Sequence, residues 1–190
     1  MKSGKDVLKI LHVQLDTMKN SDVIFLKEAF YAMKNNEVEA LRHLDQYYTA
    51  FKLEEELAIA STKTGRSLLT GIIPLYTGKT LEALTHLKKL KISHYPVIYG
   101  AITSILDLSL EDAVYTYLYS SLSNLVYVSS RIIPLGQVES QKVLASIRDG
   151  MLNQPFDYES LTLNDISSFT PGLQLASLKH ETLFSRLCMS

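Results

Sequence analysis

The stretch AVYTYLYSSLSNLVYVSSRIIPLGQVESQ, residues Ala113 to Gln141, decides how the rest of the chain is read. From Ala113 to Ser130 there is no Asp, Glu, Lys or Arg, and Leu, Val and Tyr fall on every side of a helical wheel. A helix that is apolar all round is a buried one, so the segment is expected to form a long central helix enclosed by others. Arg131 then restores charge, Pro134 lacks the backbone donor that a continuing helix needs, and Gly136 tolerates positive φ. The helix is expected to end there in a tight Pro-Leu-Gly corner. Gln137 and Gln141, four apart, share a face of the helix that follows. They are either an ordinary helical first turn or a small polar contact surface, and the corner is the first candidate for function.

On the C-terminal side of the corner, Val143, Leu144, Ile147 and Met151 give Val138–Leu152 one apolar face. Residues 156–169 are mixed and polar, as in short surface turns. Thr170-Pro171 then pairs a cap with a first-turn proline, and Leu173, Ala176, His180, Leu183 and Leu187 form a last stripe. Such a terminal helix either completes the core or docks into another protein.

On the N-terminal side, apolar residues recur at steps of three and four through Asp6–Lys19, Val23–Lys34 and Glu37–Phe51. Asn20-Ser21-Asp22 and Asn35-Asn36 read as the breaks between them. In the third helix Glu39, Arg42 and Asp45 are expected to face water. Glu54–Thr70 opens with three glutamates and carries Arg66 near its end, the charge order a helix dipole favours. Three successive glutamates point in three directions, so they read as a solvated first turn and not as paired catalytic carboxylates. Gly65 and Gly100 stand inside helical patterns: at Gly65 a close helix crossing or a bend is expected, and Gly100 would let a neighbouring helix come close. Thr80 is expected to cap a short helix reaching Leu90. His94-Tyr95-Pro96 opens another whose Val97, Ala101, Ser104 and Leu108 pack along one side. Asp107–Ser109 breaks it, and Ser109 with Asp112 starts the central helix in the manner of a capping box.

Strand-like alternation and internal repeats are absent, so the chain reads as an all-α, single-domain helical bundle spanning residues 1–190, with a C-terminal tail at 167–190. With 190 residues, 46% hydrophobic and 21% charged, it can bury one core and is not a disordered chain. A net charge of −1 with scattered Lys and Arg provides none of the field that phosphate backbones require, which argues against nucleic acid as a partner. The one cysteine, Cys188, cannot make an intrachain disulfide, and the charged N-terminal helix has no signal-peptide core. A cytoplasmic location is the expectation. The central helix is long enough to test as a membrane span, but its serines, threonine and asparagine are too polar for insertion.

Catalytic patterns fail one by one. Gly78-Lys79-Thr80 ends like a phosphate-binding loop, yet the first glycine would have to stand at position 73, occupied by Ile73, and Pro74 interrupts the amides. His180-Glu181 opens like a zincin helix, but Phe184 occupies the place of the second histidine. Five histidines spread along the chain form no local metal cluster, and His12 and His43 read as solvated. What remains are amides, an arginine, a histidine and aromatics near helix ends, residue types suited to recognition.

The same places carry a family resemblance. Arg131-Ile132-Ile133-Pro134-Leu135-Gly136-Gln137 with Gln141-Lys142-Val143-Leu144, and Leu175-Ala176-Ser177-Leu178-Lys179-His180-Glu181 leading to Ser185-Arg186-Leu187 and Ser190, resemble the two signature regions of the urease accessory protein family UreF. His94, Pro96 and Gly100 fit the pattern too, and the resemblance runs from about Val23 to Ser190. It implies an all-helical, non-enzymatic homodimer acting in nickel insertion into apo-urease. Such a protein binds the accessory protein UreD (UreH in some bacteria) and recruits the nickel-carrying GTPase UreG. It has no resident cofactor, and nickel is at most in transit.

By resemblance the partner-binding residues are Arg131, Pro134, Leu135, Gly136, Gln137 and Gln141 at the corner, and His180, Glu181, Ser185 and Arg186 in the tail. For His180 and Arg186, completion of the helical core remains the other reading. The Phe-Pro and His-Ser segment that commonly opens the family has no counterpart here, so the resemblance implies about one and a half fewer N-terminal helices. Where many members have Glu-x-Arg ahead of a glycine, this chain has Glu56-Leu57-Ala58 ahead of Gly65. The alternative from another class is a helical enzyme or small-molecule binder with Tyr115, Tyr119 and His94 lining a pocket beside the central helix.

Overall fold

The structure, a computed structural model, describes residues 4–52, 55–133, 135–153 and 156–167. Its elements in chain order are α1 (Gly4–Lys19), α2 (Asp22–Lys34), α3 (Val38–Phe51), α4 (Glu55–Ile72), the 3₁₀ turn η1 (Ile73–Leu75), α5 (Gly78–Lys89), α6 (Tyr95–Ile105), α7 (Leu110–Ile132), α8 (Gln137–Asn153) and the 3₁₀ turn η2 (Leu163–Asp165). No strand occurs among the described residues, and the protein is all-α. The tail stripe through His180 lies outside the described residues.

Two helix ends follow directly from their residue types. At the end of α2, Asn36 adopts φ 59°. This lets Asn36 N–H donate to Met33 O at 3.1 Å and Glu37 N–H to Ala32 O at 2.7 Å. At the end of α6, Asp107 at φ 56° repeats the arrangement, with Asp107 N–H on Ser104 O and Leu108 N–H on Thr103 O, both at 3.1 Å. Short polar side chains tolerate this left-handed backbone, and the paired bonds satisfy carbonyls that a helix end would otherwise leave open. Ser109 caps α7: its Oγ accepts from Asp112 N–H at 3.0 Å and donates to the Asp112 carboxylate at 2.7 Å. For α5 the cap position belongs to Thr77, not Thr80, because the helix begins at Gly78, whose φ of 61° turns the chain into it.

Two compact units are distinguishable among the described residues, one built on 4–24 and 114–167, the other on 25–113. In the first, α1 buries Val7, Leu11, Leu15 and Met18, the face predicted by its spacing. Gly4 N–H donates to Glu139 Oε1 of α8 at 3.1 Å, and Lys19 Nζ lies 4.8 Å from the Phe156 ring centre. α8 turns inward the expected Val143, Leu144, Ile147 and Met151.

The α7 portion of this unit differs from the expectation of burial on all sides. Val114, Leu118, Leu122 and Val126, at steps of four, are buried, while Tyr119, Leu125, Tyr127 and Ile132 are exposed. Absence of formal charge is not the same as being apolar. Tyrosine hydroxyls, serines and Asn124 hydrate well enough to hold one side of the helix in water. Inside, Tyr117 is 2% exposed and its hydroxyl donates to Asp22 Oδ2 at 3.1 Å. Tyr117→Phe is expected to lower unfolding free energy by about 1–3 kcal/mol, since a buried carboxylate loses a donor. Urea denaturation checks this, and an unchanged midpoint would contradict it.

In the second unit, Phe25 of α2 meets Tyr48 of α3 edge-on with ring centres 4.8 Å apart. α4 packs chiefly against α6, which buries Pro96, Val97, Ile98, Gly100, Ala101, Ile102 and Thr103. Gly65 and Gly100 are close crossings, as their positions within helices suggested: a Cβ on Gly65 would strike the Ser93 carbonyl, and one on Gly100 the Leu26 carbonyl. Leu108, expected on the packed side of α6, falls beyond the helix and is 41% exposed. The turn at Asp107 has carried it outward.

Candidate functional site

The corner after α7 is built by a short sequence of backbone events. Ile133 N–H still donates to Ser129 O at 2.9 Å, and Leu135 N–H then donates to Ile133 O at 2.7 Å. Gly136 O accepts from Ser140 N–H at 3.0 Å, the bond that starts α8. Among the described residues the glycine with positive φ is Gly78, and Gly136 does not use that freedom. A Cβ on Gly136 would meet nothing within 4 Å, so the residue stands open to solvent. Pro134 lies outside the described residues.

Arg131, Gly136, Gln137 and Gln141 are all exposed, Leu135 is half-buried, and Ile133 turns inward. The sequence reading passed over the apolar side chains between them. Ile132 is 67% and Val138 69% exposed, and Tyr127, one helical turn before Arg131, is 51% exposed. The signal that could have found them is the inward stripe at 114, 118, 122 and 126, which leaves 127, 131 and 132 on the other side. Exposed apolar side chains interleaved with amides and a guanidinium have the composition of a recognition surface. His180, Glu181, Ser185 and Arg186 lie outside the described residues.

His94 takes a structural position. It is 1% exposed, with its ring tilted against that of Tyr48 and the ring centres 4.7 Å apart. Its Nε2 lies 2.8 Å from Thr49 Oγ1 and its Nδ1 3.2 Å from Ser61 Oγ. Thr49 already donates its hydroxyl proton to Asp45 O, and Ser61 Oγ accepts from Tyr95 N–H. With the Thr49 proton committed to Asp45 O, the ring donates from Nε2 to Thr49 Oγ1, and both ring nitrogens are engaged by hydroxyl groups. Tyr119 is exposed and Tyr115 half-buried. A cleft of about 380 Å³ does exist, but it is lined by Met33, Lys34, Lys79, Thr80, Ala83, Ser104 and Ile105, none of them from that trio.

Asp45, expected in water, is instead half-buried and caps another helix. Its carboxylate accepts from Ser93 N–H at 3.0 and 3.1 Å, from His94 N–H at 2.8 Å and from Ser93 Oγ at 3.3 Å. His12, His43 and His86 are exposed, and among the described residues no group of three or more His, Cys, Asp or Glu side chains could hold a metal ion. Among those residues, too, no helix is long and apolar enough to cross a membrane.

The helical frame presents apolar and amide side chains at the turn after α7, a composition suited to contact with other proteins. A family model described as UreF matches residues 1–148. The urease accessory protein UreF of Sporosarcina pasteurii is 34% identical over 177 residues, covering 91% of this chain and 87% of the relative. Its counterpart in Bradyrhizobium diazoefficiens is 30% identical over 181 residues, covering 93% and 74%. That of Lachnoclostridium phytofermentans is 29% identical over 172 residues, covering 90% and 75%. The chain belongs to the UreF family of urease accessory proteins, and it is an accessory protein, not an enzyme.

Proposed function

We propose that this protein is a urease maturation scaffold that binds UreD, recruits the GTPase UreG and so brings nickel to apo-urease in the cytoplasm. Membership of the UreF family is the observation that carries the reading. The exposed corner from Tyr127 to Gln141 supports it with side chains suited to a partner contact. In this reading the chain acts as a homodimer, nickel is cargo without a resident site on it, and two surfaces do the binding. One is the corner with Arg131, Pro134, Leu135, Gly136, Gln137 and Gln141. The other is the tail with His180, Glu181, Ser185 and Arg186.

Capture of UreD by the full chain and by a form ending before Thr170 separates the two surfaces. Loss of capture by the shortened form is expected, and equal capture refutes tail docking. Single replacement of His180 or Arg186 by alanine is expected to weaken capture by about 1–3 kcal/mol, the cost of a desolvated anchor. Co-expression with UreD, UreG and apo-urease reads out the function itself. Normal urease activation in a host lacking this chain would overturn the proposal.

A further inference from the structure

The open cleft in the Phe25–Ala113 unit combines cations, hydroxyls and apolar side chains. Two cations, Lys34 and Lys79, and two hydroxyl residues, Thr80 and Ser104, stand around Met33, Ala83 and Ile105. No acid lines it, and the nearby acids Glu37, Glu82 and Asp107 are exposed and outside the lining. Among the described residues neither Lys34 nor Lys79 enters an ion pair.

The backbone around the cleft is mixed in polarity. The α2 and α6 ends that contribute Met33 and Ser104 would bring negative carbonyls, but Met33 O and Ser104 O already accept from Asn36 and Asp107 N–H. The first turn of α5, which contributes Lys79 and Thr80, has no side-chain cap on its amides. The side chains lining the cleft therefore carry two positive charges with no acid among them, and the uncapped amides of α5 add to these.

We propose that this cleft binds a carboxylate presented by an acidic peptide segment of another protein. The cleft is open and not enclosing, so a single side chain can enter while most of its owner stays outside. The apolar wall of Met33, Ala83 and Ile105 suits the methylenes of a glutamate, and the two ammonium groups with the hydroxyls take its oxygens. The stretch from Ile73 to Thr80 lacks the first glycine of a phosphate-binding loop, so a carboxylate and not a phosphate is the ligand proposed.

The test uses the full chain and three probes at low salt: a blocked Leu-Glu-Glu-Leu peptide, its Leu-Gln-Gln-Leu counterpart, and inorganic phosphate. The acidic peptide is expected to shift the amide resonances of Lys79, Thr80 and Ser104 and to bind more tightly than the other two. The affinity should fall about tenfold in the Lys34→Ala, Lys79→Ala double variant and fall again as salt is raised. Equal binding of the neutral peptide, preference for phosphate, shifts confined to other residues, or unchanged affinity in the double variant each overturn the proposal. Both lysines are exposed, so the variant keeps the fold, and the comparison among probes is decisive on the native chain alone.

Discussion

Gly100→Ala is expected to destabilise the protein by about 3 kcal/mol or more, a large part of the stability of a chain this size. The added methyl would lie within contact distance of the Leu26 carbonyl oxygen and 3.1 Å from Phe30 N, both backbone atoms of α2. A side chain in the way could change rotamer; backbone cannot, so α6 or α2 would have to shift within a close-packed interior. Gly65→Ala is expected to behave likewise, because the Ser93 carbonyl and Tyr95 N at 3.0 Å stand where its Cβ would go. Gly71→Ala provides the control: it lies in α4, its Cβ would meet nothing within 4 Å, and the change is expected to be neutral or stabilising by up to about 1 kcal/mol. Urea denaturation of the three variants checks the set. If Gly100→Ala and Gly71→Ala unfold at the same midpoint, the close crossing of α2 and α6 is wrong.

Asp45→Ala is expected to cost about 2–3 kcal/mol. The N-cap of α6 is His94, and no side chain of its own segment caps the helix. The Asp45 carboxylate performs that service from α3, holding two backbone N–H groups and one hydroxyl at the start of the segment that carries His94 and Pro96. Loss of a cap alone is worth about 1 kcal/mol, and bonds to a charged acceptor with partly buried donors add to it. Asp45→Asn keeps an acceptor oxygen without the charge, so roughly half the loss should remain. If both variants match the native denaturation curve, the carboxylate does not anchor α6 and its expected place in water was the better description.

These two sites mark how far the one-dimensional pattern reaches. Gly65 and Gly100 announced a close approach because glycine inside a helix has a cost that only proximity offsets, but nothing in the sequence says that the approaching groups are the carbonyls of Ser93 and Leu26. Asp45 carried no signal: an acid between Leu44 and Tyr48 on an amphipathic helix has the pattern of a solvated residue, and its partners are 48 and 49 positions away. The turns at Asn36 and Asp107 were legible because the tolerance of Asn and Asp for left-handed backbone is a property of single residues. The start of α5 was misplaced by three residues because Thr77 and Thr80 are equally good caps in isolation, and Gly78 φ decides between them.

What the sequence by itself determined is the set of helices, most of their ends and the family, since periodicity, capping and signature motifs act over a few residues. Tertiary structure alone decided which side of α7 faces water, how Asp45 and His94 are engaged, and where Lys34 and Lys79 line a common cleft. Each of these depends on elements distant in the chain meeting in space, and local helical repeats place no constraint on which distant residue arrives.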